Sequence, residues 1–501
     1  MFFSLIFFLG IFNISLADTF YVNNSGSPIC NNSVANGSRS MPWCTVTYGI
    51  SKMQSGDTLY VMAGTYNENL YINRPSGTAA KYTVIKAYPG NTVNLTGNGM
   101  NTGRIKIINS SYINFDGFRI TNYNQGIFVE SSDNIILQNC EVHYVGQEAI
   151  HVLYNSDQVT VQNCIVHDTN QWQYNGEGIY VGTGSGGPLD NTCNVIIRNN
   201  IIYNTTDEGI EIKPGTHNCL IEGNLLYNIM TEPLYSGGAG AIEINEATLA
   251  CPGCPNGLQT WPSNPNHVVR NNIVHSSKTG IRAGTGCIVY NNVVYNIADT
   301  YSGILVNNHA SDGYTREIYH NTVDVPVDRA VTIISGTADV KNNIGPSTQN
   351  NLASNQTYFV SVIKGKEDYH LTAGSAPIDA GVATDIVTDK DGNTRPQGGG
   401  YDIGAYEYIP STGIQNNEFS GLRIKIYPNP ATNILYFENT SSLDLMLNAV
   451  ILNVLGKKLL DKNIELKKRC SLDISGLSSG VYFVWLSNKL INQSTKIIIT
   501  H

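Results

Sequence analysis

The segment Asp207-Glu208-Gly209-Ile210-Glu211-Ile212-Lys213 gathers three carboxyls and an amine. Strand alternation would turn Glu211 and Lys213 to the same face. Glu177, Asp207, Glu208, Glu211 and Glu243 are hard oxygen ligands of the kind that holds Ca²⁺. Beside such an ion Lys213 is the candidate base of a β-elimination, in which a proton α to a carboxylate leaves and negative charge builds. Arg282 is the candidate carboxylate clamp or proton donor. Without a metal, the crowded carboxylates would raise the Lys213 pKa and oppose that role. Glu211 and Glu243 would then suit hydrolysis: on adjacent repeats their backbones would lie about 4.8 Å apart, compatible with the roughly 5–5.5 Å carboxyl separation of a retaining glycosidase. His151, Tyr180, His217, Trp172, Trp261 and Arg270 are the candidate substrate contacts.

These residues are positioned by a repeat. From Arg104 to Gln349 a unit of about 20 to 24 residues recurs, a length typical of solenoids. Each unit has a strand opening Gly-Ile or Ala-Ile, a turn, and a strand ending in Asn-Asn or a variant of it. Alternation has period 2, and long 3.6-periodic stretches are absent, which excludes a helical solenoid. Aligning the Gly-Ile strands turns the isoleucines inward and leaves an outward column Phe128, His151, Tyr180, Glu211, Glu243, Arg282. A second column runs Glu130, Leu153, Gly182, Lys213, Asn245, Gly284, and a third holds Glu148, Glu177 and Glu208. Insertions at 168–175, 182–191, 230–239 and 246–266 would wall this acidic floor into a cleft, with Trp172, Tyr174, Tyr235 and Trp261 available to stack on sugar rings. The competing expectation for the floor is a solvated ladder of salt bridges.

The other columns read as structural. Asn139, Asn163, Asn199, Asn271, Asn291, Asn321 and Asn342, interrupted by Gly223, fit an amide ladder running from coil to coil. His143, His167, Tyr203, Tyr227, His275 and Tyr295 fit a stacked aromatic ladder, and Cys140 and Cys164 fit core positions. Among the 10 cysteines, Cys30 with Cys44 and Cys251 with Cys254 are the plausible disulfides.

The chain has 501 residues and a formal net charge of −9, which excludes a basic nucleic-acid-binding surface. With 41% hydrophobic and 14% charged residues it is a folded protein. The negative charge also opposes a polyanionic ligand unless calcium, or Lys213, Arg270 and Arg282, offset it locally. Met1 to Ala17 is an apolar run ending Ser15-Leu16-Ala17, which reads as a secretory signal peptide. No phosphate-binding loop, dinucleotide fingerprint or HExxH motif is present.

From about Thr19 to Tyr408 the chain resembles the right-handed parallel β-helix, the pectin-lyase-like fold of many polysaccharide lyases and some glycoside hydrolases. Its opening, Phe20-Tyr21-Val22, Ser55-Gly56-Asp57-Thr58-Leu59-Tyr60-Val61 and Ala63-Gly64-Thr65-Tyr66, looks like the start of bacterial proteins of this kind, where a helix, here Val46 to Met53, caps the open end. Asp389-Lys390-Asp391-Gly392-Asn393 to Tyr401-Asp402-Ile403-Gly404-Ala405-Tyr406-Glu407-Tyr408 resembles their closing motif. A calcium loop at Asp389 and Asp391 lacks the glutamate an EF-hand requires, so a structural turn is expected. The Asp207–Lys213 segment resembles the pattern of lyase β-helices in which carboxylates hold Ca²⁺ and a nearby lysine removes a proton. Past Pro410, Ile426-Tyr427-Pro428-Asn429-Pro430, Val454-Leu455-Gly456-Lys457, Leu477-Ser478-Ser479-Gly480-Val481-Tyr482-Phe483 and Lys496-Ile497-Ile498-Ile499 look like the type A sorting domain of the type IX secretion system of Bacteroidetes.

The expected architecture is all-β: a signal peptide (1–17), the cap and first coils (18–103), the β-helix core with its cleft (104–349), the closing segment (350–410), a linker (411–420) and a small β-sandwich sorting domain (421–501). The resemblance implies a secreted or surface monomer, exported by the type IX machinery, that binds no nucleic acid. It would cleave an acidic polysaccharide as a Ca²⁺-assisted lyase; a β-helix hydrolase and a noncatalytic glycan-binding adhesin are the alternatives.

Overall fold

A computed structural model describes residues 17–33, 35–73, 76–170, 175–184, 186–188, 190–230, 240–245, 249–250, 258–259, 265–306, 314–410, 424–439, 445–453, 457–487 and 492–500. The signal-peptide stretch, Cys251 and Cys254 lie outside them, as do Trp172, Tyr174, Tyr235 and Trp261. The chain divides into two compact units, 1–408 and 409–501.

The first unit is a right-handed parallel β-helix whose coils build three parallel sheets of 12, 10 and 12 strands. The isoleucines that open the Gly-Ile strands, Ile127, Ile150, Ile179, Ile210, Ile242, Ile281 and Ile304, pair directly from coil to coil in the ten-stranded sheet. Each is fully buried, so a single apolar column runs the length of the core. A helix, Val46–Lys52, caps the open end where a helix was expected. Thr45 is its N-cap, and the Glu68 carboxylate accepts the N–H groups of Val46 at 2.9 Å and Thr47 at 2.8 Å. Gly49 allows the close approach, since a Cβ there would lie 2.9 Å from both Leu59 and Val22. The expected Cys30–Cys44 disulfide staples the chain just before this helix.

The amide ladder is real but stands one residue later than the sequence alignment places it. Asn200, Asn224, Asn272, Asn292, Asn321, Asn343 and Asn351 pass Nδ2–H···Oδ1 bonds of 2.9–3.0 Å from coil to coil. The preceding column, Asn139, Asn163, Asn199, Gly223, Asn271, Asn291, His320 and Asn342, bends the corner with left-handed φ between 52° and 66°. Asparagine and glycine tolerate that conformation best, which is why Gly223 replaces asparagine there without breaking the ladder. Asn321 therefore belongs to the ladder, and His320 takes its corner. Cys140 and Cys164 are buried on the coils before the ladder, and the Cys164 N–H donates to Asn200 Oδ1 at 2.9 Å. The expected aromatic ladder also forms: His143, His167, Tyr203, Tyr227, His275 and Tyr295 stack at 4.7–5.3 Å.

The closing segment straps this corner. The Arg395–Glu407 ion pair, 2.6 Å and fully buried, is tied to the solenoid where Arg395 donates to Asn291 Oδ1 at 3.1 Å. Asp389 accepts the N–H groups of Asp391, Asn393 and Glu407 at 2.8–3.0 Å. Its oxygens are thus committed to a turn, as expected, rather than to a calcium loop. The second unit is a small antiparallel β-fold of a three-stranded and a four-stranded sheet.

Candidate active site

The outward column on the ten-stranded sheet forms as aligned: Phe128, His151, Tyr180, Glu211, Glu243 and Arg282 are direct cross-strand partners. Glu148, Glu177 and Glu208 follow one another in the turns that lead into these strands, where the Ala149 N–H donates to the Glu177 carbonyl at 3.1 Å and the Gly178 N–H to the Glu208 carbonyl at 2.9 Å. Two carboxyl groupings result, Glu177–Asp207–Glu208 and Glu208–Glu211–Glu243, each with ligand atoms within 4.8 Å of one another. Glu208 belongs to both. The floor is not the solvated face that an outward strand column suggests: Glu177, Glu208, Glu211 and Glu243 are only 1–6% exposed.

Burial sets the electrostatics. It pushes the Glu177 carboxyl well above the ordinary glutamate range, with Glu211, Glu148 and Asp207 adding repulsion. Burial likewise raises Glu208, reinforced by Glu211, Asp207 and Glu243. The cations sit at the ends of the cluster. Lys213 forms an ion pair with Glu211 Oε1, which also accepts Asn245 Nδ2–H at 3.0 Å. Arg282 Nη1 lies 3.3 Å from Glu243 Oε1. Burial works to depress the Lys213 pKa, but Glu211, Glu208 and Glu177 outweigh it and hold the ammonium above the usual lysine value. Its Nζ also lies 5.2 Å from the centre of the Tyr180 ring.

A hard divalent cation fits this donor set. Glu177 Oε2 and Glu211 Oε2 are buried with no hydrogen-bond partner, and an unpaired buried carboxylate oxygen is costly unless a cation meets it. The carboxyls of the two groupings exceed the neighbouring cations, Lys213 and Arg282, in number.

His151 donates through Nε2 to the Gly182 carbonyl at 2.8 Å and packs edge-on between Phe128 and Tyr180, at ring distances of 4.6 and 4.4 Å. Burial depresses its pKa and so favours the neutral ring, against the opposing pull of Glu148. Two expected contacts fall elsewhere. Arg270 is on a twelve-stranded sheet, bound to Glu222 at 2.6 Å and to the Tyr290 hydroxyl at 2.9 Å, because its strand belongs to the Asn-Asn half of the repeat. His217 lies in the corner that bridges to Cys193, outside the carboxyl groupings. Asn245 stands in the second column without having been given a role, and Arg104 was no candidate contact; Arg104 covers the Phe128 ring at 4.3 Å from just before the strand Ile105–Ile108, one coil ahead of the aligned column.

Residues 21–237 match the family model described as Pel9A-like, right handed beta helix region, and residues 189–344 match the right handed beta helix region. Residues 425–500 match the secretion system C-terminal sorting domain. The solved pectate lyase Pel9A superposes with a TM-score of 0.57 at 15% identity, covering 79% of this chain and 98% of that one. A rhamnogalacturonan lyase gives 0.50 at 16% identity over 70% and 92%, and an alginate lyase from Paenibacillus sp. str. FPU-7 gives 0.47 at 17% over 67% and 99%. No curated protein matches the chain. The protein has the right-handed parallel β-helix fold, which the pectate lyase and rhamnogalacturonan lyase structures share. Its C-terminal sorting domain directs it through type IX secretion to the cell surface or the medium.

Proposed function

We propose that the protein is a polysaccharide lyase that cleaves an acidic, uronate-containing glycan by β-elimination with the help of a divalent cation, Ca²⁺ by its ligand chemistry. The observation that carries this reading is the buried convergence of Glu177, Asp207, Glu208, Glu211 and Glu243 between Lys213 and Arg282. Those five carboxylates would hold the ion, and when bound it supplies charge neutralisation for the substrate carboxylate. Lys213 Nζ removes the proton α to that carboxylate, the β C–O bond to the departing sugar breaks as the double bond forms, and the departing oxygen takes a proton from water. The lysine serves as a base once the Glu211, Glu208 and Glu177 carboxylates are engaged elsewhere, because burial, the largest influence on Lys213, is then no longer outweighed and lowers its pKa. Arg282, beside Glu243 at the far end, clamps the uronate carboxylate. Tyr180 and His151 extend the surface along the sheet for neighbouring sugar units. The fold shared with a pectate lyase and a rhamnogalacturonan lyase supports this reading.

A hydrolase reading has one observation in its favour. Glu208 is held towards its protonated form while Lys213 pairs with Glu211 a few ångströms away, the split that an acid and a nucleophile require. On this reading Glu208 is the acid and Glu211 the nucleophile, and Glu211 with Glu243 is the alternative pair within the same grouping.

The deciding experiment follows ultraviolet absorbance of unsaturated product on polygalacturonate, alginate and rhamnogalacturonan, with calcium or a chelator. Elimination predicts a calcium-dependent signal that falls at least about 100-fold in Lys213→Ala, the usual weight of a general base. New reducing ends without ultraviolet absorbance would transfer the assignment to hydrolysis. Neither signal, with the polymers retained, would make the protein a glycan-binding surface protein.

A further inference from the structure

β-Elimination moves two protons at neighbouring atoms of one sugar: a base takes the α proton, and the departing oxygen must gain one. Around Lys213 most groups that could supply the second proton are committed. Asn245 Nδ2–H goes to Glu211 at 3.0 Å, the Thr216 hydroxyl to the Lys213 carbonyl at 2.7 Å and the Thr183 hydroxyl to the Pro188 carbonyl at 3.2 Å. His151 gives its Nε2–H to the Gly182 carbonyl, which leaves the neutral ring a bare Nδ1 and no second proton to donate. Arg282 stands two coils beyond Glu211, beside Glu243.

Tyr180 differs from all of these. It lies one coil before Glu211 as its direct cross-strand partner, and it is only 6% exposed. Its contacts are made by the ring, with the His151 ring at 4.4 Å and Lys213 Nζ at 5.2 Å from its centre, and its hydroxyl has no hydrogen-bond partner among the described residues. The hydroxyl and the base flank the same short stretch, residues 182–184. A Cβ at Gly182 would press to 2.9 Å from Lys213 Cβ, and one at Gly184 would lie 3.1 Å from the Tyr180 oxygen, so glycine at both positions leaves room beside each group. A buried hydroxyl without a partner is costly unless a ligand meets it. An amine 5.2 Å from the centre of the phenol ring is also within reach of the same sugar residue, because the α proton and the departing oxygen are carried by adjacent carbons. Burial, and after it the charge of Glu211 and Glu177, keeps the phenol protonated, the form a donor needs.

We propose that Tyr180 is the general acid of the elimination, its hydroxyl handing the departing oxygen the proton that water ultimately supplies. The electron pair of the broken C–H bond becomes the new double bond, and the pair of the broken C–O bond stays on the departing oxygen, which takes the phenol proton. The phenolate then recovers a proton from water, and the Lys213 ammonium returns to water the one it removed. The role rests on the lyase reading and leaves Arg282 to the carboxylate clamp alone.

The test compares two kinds of substrate for the full chain in calcium, both read by absorbance of the unsaturated product. One is whichever of polygalacturonate, alginate and rhamnogalacturonan the wild type eliminates; the other is a uronate carrying a 4-nitrophenoxy group on the β carbon, which departs as a stable phenolate and needs no proton. Tyr180→Phe keeps the ring and should lose at least about 100-fold in kcat/KM on the glycan while retaining the wild-type rate on the nitrophenoxy substrate. Lys213→Ala should lose turnover of both, since the α proton must leave either one. The ratio of the two rates within one variant is independent of how much of it is folded. Equal losses on both substrates would reduce Tyr180 to a packing role, and a wild-type rate of Tyr180→Phe on the glycan would overturn the inference outright. Should the wild type eliminate only the nitrophenoxy substrate, the base stands and the acid falls; should it give unsaturated product from neither, the lyase reading falls and this role with it.

Discussion

Titrating the metal-free protein with Ca²⁺ at pH 6 should release about one to two protons per ion bound. Five clustered carboxyls face two cations, Lys213 and Arg282, so full ionisation would leave three uncompensated negative charges in a buried site. Glu177 and Glu208 answer by holding their protons, their pKa values raised first by burial and then by their acidic neighbours. A carboxyl must shed its proton to ligate a metal, so binding and proton release are linked. The logarithm of the binding constant then rises with pH by the number of protons released, an increase of about tenfold to a hundredfold per pH unit while both carboxyls hold their protons. Calorimetric titrations in two buffers of different ionisation enthalpy measure that number directly, and Glu208→Gln should lower it by about one. Proton-neutral binding, or a binding constant that does not change with pH, would refute the electrostatic argument even if the ion binds.

Other outcomes follow from the same groups. Because the folded Glu208 carboxyl holds its proton above the unfolded value of about 4.3, its contribution to stability is complete below that pH and is lost as pH rises through the folded pKa. Glu208→Gln should therefore raise the melting temperature of the metal-free protein at pH 8 and leave it nearly unchanged at pH 4, and saturating Ca²⁺ should erase the difference. On the acid side, burial lowers His320 to about 2 and His267 to about 3, so stability is intact above the unfolded histidine value of about 6.5 and falls below it by about 1.4 kcal/mol per pH unit for each, visible in calcium-loaded melts. Asn272→Ala removes a fully buried amide that receives the Asn224 N–H at 2.9 Å, donates to the Ile221 carbonyl at 3.0 Å and links two ladder neighbours. It should cost about 3–5 kcal/mol in denaturant unfolding, whereas Asn271→Gly, at φ 59°, should cost less than about 1 kcal/mol; equal losses would argue against the ladder's placement. A chain ending at Pro410 should keep its turnover and lose type IX export, because the carboxylate cluster lies wholly in the first compact unit.

The period-2 alternation, the recurring Gly-Ile openings and the Asn-Asn endings were enough to determine the solenoid and the face on which Glu211, Glu243 and Arg282 line up. They sufficed because a parallel β-helix stacks equivalent positions, so a sequence alignment of repeats is already a register. The cysteines were enough to name the Cys30–Cys44 bridge, while the helix cap and the sorting domain were legible through the resemblance of the opening and C-terminal motifs to known families. Three things had to wait for the tertiary structure. The ladder lay one residue away from the aligned asparagines, because either residue of an Asn-Asn pair satisfies the pattern and only backbone φ separates the corner from the amide stack. Arg270 left the site because membership of a sheet, not charge, decides what an arginine meets. And the burial of Glu177, Glu208, Glu211 and Glu243 is invisible to strand alternation, which only says which way a side chain points. How much water remains around it depends on the coils and loops packed beside it, and that water decides whether these carboxyls form a solvated charge ladder or a strained cluster suited to a cation.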